Sequence, residues 1–423
     1  MIFSANIKLA LPRQARFLGL RQKGKHSLTV TSDRERVVDK TFLLESSQIQ
    51  QFLEALQRQG YAVMGPTLTQ GDLRYGEVRA SADLPVGWRD EEEAGSFRLI
   101  KQDDQVSFGC RVGQHSWKQF LFPPDVLLWQ ARREEGTWRF KVPAAAEPPY
   151  AFLGVRACDL AALEVHDRVL MRGRYLDPIY QQRREKAFIV AVNCSKSGAT
   201  CFCASLGTGP RAATGFDLAL TEVLEDGRHF FLGEVGTKRG ADILAALTHR
   251  PATATEVAAA EQLMAGAARN QTRMLATAGL KNFLYDNFEN PHWNKVAERC
   301  LTCGNCAITC PTCFCHNYRD SLTVTGEVAE RRRHWEVCFS VDHSYLHGGA
   351  IRPSPRSRYR QWLTHKLATW QDQFGCLGCV GCGRCITWCP VGIDLTQEVR
   401  SLRAAAASPE TTKTAGEKEH GDR

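Results

Sequence analysis

The sequence predicts an α+β protein, in which a mixed α/β N-terminal region precedes a helical C-terminal domain. Three observations carry this: an amphipathic helical pattern among short alternating stretches, a strand-helix-strand pattern near the middle, and one cysteine run that occurs twice, with starts 79 residues apart (379 minus 300). The 423 residues suffice for more than one core, and 43% hydrophobic with 24% charged residues is the composition of a soluble globular chain. Apolar stretches such as Ala187 to Val192 are strand-sized, far below the ~18 residues of a spanning helix, so direct membrane insertion is not expected.

Residues 1 to about 145 read as a mixed α+β region. In SSQIQQFLEALQRQG, serine stands at the start, Ile49, Phe52, Leu53 and Leu56 recur at helical spacing, and Gly60 closes the pattern. Short alternating stretches such as SFRLI and QVSFGCRV follow, and the lone Cys110 and His115 read as ordinary core or surface residues. A Pro/Ala-rich connector, Val142 to Pro149, leads into a second region spanning 146–250.

There, Ala151 to Ala157 reads as a buried strand, Asp159 to Leu170 as a helix with Asp159 as N-cap, and Ala187 to Asn193 as a second buried strand. Such a crossover makes the strands parallel, so both C-terminal ends lie on one sheet edge, where open α/β folds place ligands. Cys158 follows the first strand and Cys194 the second; seven residues after Cys194 comes TCFC, with Cys201 and Cys203. Four cysteines converging on one edge make Cys158, Cys194, Cys201 and Cys203 candidate metal ligands. The loop GTGPRAATG, Gly207 to Gly215, lacks full dinucleotide spacing and suits tight packing beside that site. Asp226-Gly227 between strand-like stretches predicts a hairpin.

An alanine-rich helical connector, 251–295, precedes the domain at 296–405. The runs CLTCGNCAITCP, Cys300 to Pro311, and CVGCGRCITWCP, Cys379 to Pro390, both read C-x2-C-x2-C-x3-C-P. That pattern holds [4Fe-4S] clusters, with the fourth cysteine of each run serving the partner cluster. The expected sets are Cys300, Cys303, Cys306 and Cys389 for cluster 1, and Cys379, Cys382, Cys385 and Cys310 for cluster 2; Cys158, Cys194, Cys201 and Cys203 are the candidate set for a third. Structural zinc needs only two cysteine pairs, and seventeen cysteines without a visible export signal argue against disulfides and for a reducing cytoplasm. Cys110, Cys313, Cys315, Cys338 and Cys376 remain unassigned; TCFC recurs at Thr312 to Cys315, and Cys376 precedes the second run with C-x2-C spacing. The separation of the runs leaves room for helices, a helical ferredoxin-type dicluster domain. The polar stretch from 406 to 423 reads as a disordered tail.

The formal charge is +8, and Arg331 to Arg333 with Arg352 to Arg360 form basic stretches between the runs. Thiolate-bound clusters are anionic, so these arginines suit cluster compensation or partner docking better than nucleic acid. His166, His316, His334 and His343 could shuttle protons, but structural or surface roles fit better.

On GYAVMGP, SWKQFLFPP, EVHDRVLMRGRYLDP, TCFCASLGTGP, CLTCGNCAITCPTCFC and CVGCGRCITWCPVGID, the chain resembles the iron-sulfur β subunits of soluble NAD(P)-linked [NiFe] hydrogenases (sulfhydrogenases) and the similar iron-sulfur subunit of anaerobic sulfite reductase. The resemblance implies a non-catalytic electron-transfer subunit. It would join a flavin/NAD(P)-binding subunit to the catalytic one, which is either a [NiFe] hydrogenase or a sulfite reductase. No complete Rossmann fingerprint and no second nickel-type cysteine pair appear, since Gly378 precedes Cys379. The sirohaem-like spacings Cys300/Cys306 and Cys385/Cys389 lie inside complete ferredoxin runs. A reductase working at its own sheet-edge site is the remaining reading.

Overall fold

The computed structural model describes residues 41–142, 148–225 and 227–407. Residues 1–40, the centre of the Pro/Ala connector, Asp226 and nearly all of the expected tail therefore lie outside the described residues.

The first amphipathic pattern forms the helix Ile49–Arg58, which buries Ile49, Phe52, Leu53 and Leu56 on one side. Its entry differs from the serine cap expected. A 3-10 turn, Ser46–Gln48, leads in, and the Gln48 side chain accepts a hydrogen bond from the Glu45 N–H at 2.9 Å. Around this helix run β1 (Thr41–Glu45), β2 (Ala62–Thr69) and β3 (Asp72–Glu77), followed by the hairpins β4 (Trp88–Glu93) with β5 (Ser96–Lys101) and β6 (Asp125–Glu134) with β7 (Thr137–Lys141).

The strand-helix-strand segment becomes β8 (Tyr150–Val155), the helix Ala157–Leu170 and β9 (Phe188–Val192), and the two strands pair in parallel. Asp159 is the third residue of the helix rather than its cap: its carboxylate accepts from the backbone N–H of Arg156, the residue that does cap it. Cys158 accordingly sits in the first helical turn, where the helix leaves the sheet edge. Then come β10 (Leu218–Glu225), β11 (Arg228–Val235) and β12 (Arg250–Pro251); β10 and β11 form the expected hairpin, with Glu225 opposite Arg228 and Gly227 at φ +75°.

These strands make one eight-stranded sheet in the order β12-β1-β11-β10-β9-β8-β2-β3. Because β2 lies beside β8 and β1 beside β11, strands from both sides of residue 145 share the sheet. Alternate residues of β8 and β9 supply two cores: Ala151, Leu153, Phe188 and Val190 face the helix 49–58, whereas Phe152, Val155, Ile189 and Ala191 face Leu160 and Leu163 of the helix 157–170. Burial on both faces explains the continuous apolar runs.

The helix Ala254–Arg269 packs Val257 and Ala260 against Leu43, Val223, Phe230 and Leu232 of β1, β10 and β11, starting with a reciprocal Thr253/Glu256 capping box. Hydrogen bonds from Arg250 chiefly, then from Thr253 and Arg228, hold the Glu256 carboxyl well below the usual carboxylate range despite burial. Glu256→Ala should cost about 1–2 kcal/mol in urea denaturation at neutral pH. A depressed folded pKa contributes stability above the unfolded value and loses it as pH falls through the folded one, so the gap between wild type and variant should narrow in acid.

The C-terminal region is helical around a third core that includes Trp293, Leu363, Leu367 and Leu402, but it also contributes a hairpin, β13 (His316–Leu322) with β14 (Val328–Trp335). β14 pairs with β6, giving a second sheet β13-β14-β6-β7 that ties the cysteine-rich end to the N-terminal region. This sheet also accounts for the arginine run. Arg331 pairs with Asp320, Arg332 with Asp125 and Arg333 with Asp177, while Arg356 and Arg360 pair with Glu289. Carboxylates therefore neutralise these five arginines, whereas Arg352 donates to the Ser344 hydroxyl and buried Arg358 to the carbonyls of Arg352, Phe339 and Pro353.

Candidate metal centres

The structure brings Cys300, Cys303, Cys306 and Cys389 to one cavity, lined otherwise by Leu301, Phe339, Tyr359, Trp362 and Ile393 among others. The first three follow from the local spacing, with Gly304 at φ +77° opening the short helix Asn305–Ile308 that carries Cys306. Cys389 arrives from the other run, and its sulfur accepts the Ile393 N–H at 3.3 Å. Cys303 is exposed, so this site reaches the surface.

Cys310 turns away from its own run. Its sulfur accepts from the Lys366 ammonium at 3.1 Å and lies 3.1 Å from the Thr312 hydroxyl, which donates to the Gly378 carbonyl at 2.7 Å, just before the second run. Cys379, Cys382 and Cys385 each lie within electrostatic reach of Cys310. Burial pushes the Cys379 thiol up to about 11 against the pull of Lys366. Burial opposes the charge on Lys366 as well, yet Cys310, Cys313, Cys379 and Cys385 overcome it and hold its pKa well above the ordinary value.

Cys158, Cys194, Cys201 and Cys203 line a third cavity at the sheet edge, together with Cys382. Close approach of the second run makes this possible. Gly381, at φ +64°, accepts the Phe202 N–H at 2.9 Å, and a Cβ there would fall 2.6 Å from the Cys203 nitrogen. Gly209 of the glycine loop likewise sits against the Cys203 sulfur, matching the packing role expected of that loop. Two of the sulfurs have side-chain donors: Arg111 reaches Cys201 at 2.7 Å and Gln271 reaches Cys203 at 3.1 Å. Burial pushes the Cys201 thiol to about 12, opposed by Arg111, and Cys203 to about 11, opposed by Gln271. Ligation requires thiolates, so these donors stabilise the form that iron needs.

Five cysteines line the first cavity and six the third, Cys310 meets the second run, and cationic or N–H donors are aimed at these sulfurs; this is the donor chemistry that a [4Fe-4S] cluster requires, and such a cluster supplies one-electron transfer when bound. Among the described residues, no group of three or more His, Cys, Asp or Glu is placed to hold a single metal ion.

Several site residues escape local sequence reasoning. Cys110, expected to be plain core, also lines the third cavity. Arg384, inside the second run, forms a buried 2.8 Å ion pair with Asp159 beside Cys158. Arg111 pairs with Asp90 and, at 3.0 Å, with Glu92. The two TCFC threonines are both fully buried against the second run, Thr312 through Gly378 and Thr200 through Thr387 at 2.8 Å. Their repetition is the signal that the sequence carries for them. Cys376, in contrast, faces Arg168 and Glu164. His166 is fully enclosed between Phe122 and Tyr180, and burial, then the Lys118 charge, pushes its pKa to about 3, which leaves it neutral.

Residues 299–393 match the model of a 4Fe-4S dicluster domain. The fold and its cysteine sites thus define an iron-sulfur electron-transfer protein that carries [4Fe-4S] clusters. Over 315 residues, 73% of this chain and 88% of the relative, it is 31% identical to Sulfhydrogenase 2 subunit beta of Pyrococcus furiosus. The chain belongs to the sulfhydrogenase beta-subunit family. No solved structure matches it.

Proposed function

We propose that the chain is a three-cluster relay, with cluster 1 on Cys300, Cys303, Cys306 and Cys389, cluster 2 on Cys379, Cys382, Cys385 and Cys310, and cluster 3 on Cys158, Cys194, Cys201 and Cys203. One observation carries the linear order: Cys385 of the middle set lines the first cavity, and Cys382 of the same set lines the third. The middle site therefore abuts both others. Exposed Cys303, flanked by exposed Leu301 and Ile308, gives one end a surface on which a redox partner can dock.

On this reading the chain works in the cytoplasm between two partners, one a flavin/NAD(P)-binding subunit, the other a catalytic [NiFe] hydrogenase. No described helix is long and apolar enough to cross a membrane. Anaerobically purified protein should be brown and contain about twelve iron atoms. Pull-down with the tagged chain should recover a flavoprotein together with a nickel-containing protein; a sirohaem partner in place of the latter would assign the chain to an anaerobic sulfite reductase.

A second reading has its own observation. Arg111, Glu92 and Ser197 line both the third site and an adjoining polar cavity of about 640 Å3 that includes Arg89 and Lys196. Its wall carries the carboxylates Asp90, Glu91, Glu92 and Glu93 beside the cations Arg89, Arg98, Arg111 and Lys196, and a small polar molecule could meet cluster 3 there. The isolated chain, supplied with an artificial electron donor, would then reduce a sulfur substrate, whereas a pure relay is inert without its partner.

A further inference from the structure

Lys366 and Lys118 are both almost fully buried, at 3% and 4% exposure. Burying an ammonium is costly unless a negative charge accompanies it. Among the described residues, however, no carboxylate forms an ion pair with either. Lys366 donates to the Cys310 sulfur, the Gly378 carbonyl at 3.0 Å and the Thr312 hydroxyl at 3.4 Å. Lys118 donates to the carbonyls of Cys310 and Cys313, at 3.1 and 3.0 Å, and lies over the Trp335 ring. Lys366 is presented by a π-helical turn, His365–Thr369, between the helices Pro355–Thr364 and Trp370–Phe374. Wide turns of this kind concentrate at functional sites.

The other two sites differ. Beside the third, Arg111 and Arg384 are matched by Asp90, Glu92 and Asp159, and Arg156 directs its guanidinium to the carbonyls of Val192, Asn193, Phe108 and Cys110 rather than to a sulfur. The first cavity is lined by apolar and aromatic side chains without a cation, so among the described residues only Lys366 brings a carboxylate-free charge directly onto a proposed ligand. Reduction adds one negative charge to a cluster, and an unmatched fixed cation favours that state.

Building on the three-cluster reading, we infer that Lys366, assisted by Lys118, sets the middle centre as the most oxidising of the three, so that the first electron taken up rests midway along the relay. A resting point one transfer from either end serves flux in both directions. The test is a potentiometric titration of the whole anaerobic protein followed by electron paramagnetic resonance, on wild type and on Lys366→Met, Lys366→Arg and Lys118→Met. The most positive midpoint should move negative in Lys366→Met and by a smaller step in Lys118→Met, the other two midpoints should hold, and Lys366→Arg should restore the wild-type value. If Lys366→Met does not fold, Lys118→Met reads the same shift. A most positive midpoint indifferent to both lysines, or all three midpoints moving together, overturns the inference while leaving the relay intact. Wild-type protein without three reducible clusters instead overturns the ligand assignment on which it rests.

Discussion

Cys310→Ser should remove about a third of the iron, and the cluster it removes should be the one that the other run supplies. The thiol points toward Lys366 and the second run, while Cys389 replaces it in the first cavity. Double variants make the partnership readable. Cys310→Ser combined with Cys382→Ser should lose no more iron than either alone, because the proposed crossed ligation assigns both to one cluster of about four iron atoms. Cys310→Ser combined with Cys303→Ser should lose two clusters. The reverse pattern, with the Cys303 pair behaving as one unit, rejects crossed ligation. Serine keeps the size of the side chain, so circular dichroism should show the α/β sheet unchanged.

Arg384→Met should be the most destabilising single substitution away from the cysteines, by about 3–5 kcal/mol in urea denaturation, because it strands a charged Asp159 in the interior. The two side chains are 7% and 1% exposed, and Arg384 also donates to the Val112 carbonyl. Their pairing joins the second cysteine run to the helix that carries Cys158, so iron at the third site should fall as well. Replacing both partners, Arg384→Met with Asp159→Leu, should recover much of the stability, since a well-packed apolar pair costs less than one orphaned charge. A double variant no better than the single one would mean that the arginine acts through its carbonyl contacts instead.

The features legible in the sequence are those with local causes. The helix Ile49–Arg58 is visible because its buried residues recur with the turn of the helix, and the β10–β11 hairpin because Gly227 supplies a positive φ between apolar stretches. The parallel pairing of β8 and β9 follows from the length and hand of the crossover. Where local pattern misleads, a distant partner decides. The arginines of β14 suit the clusters on sequence grounds, but strand pairing sets them beside Asp125, and the fold sets them beside Asp177, both far back in the chain. Cys110 resembles any core cysteine because nothing near it in sequence marks the cavity it lines. Lys366 is one basic residue among many in its segment, and its buried contact with the Cys310 sulfur is what distinguishes it.

The sequence by itself determined the kind of chemistry: two C-x2-C-x2-C-x3-C-P runs place sulfurs within one or two turns of each other, a distance that covalent geometry controls. Tertiary structure alone decided how the sites are ordered and charged. Glycines 381 and 383 let the second run lie directly against Thr200 to Cys203, and buried Lys366, Lys118, Arg111 and Arg384 approach the cysteines from separate elements. Close approach and long-range charge depend on which surfaces are brought together, and that information exists only after the chain has folded.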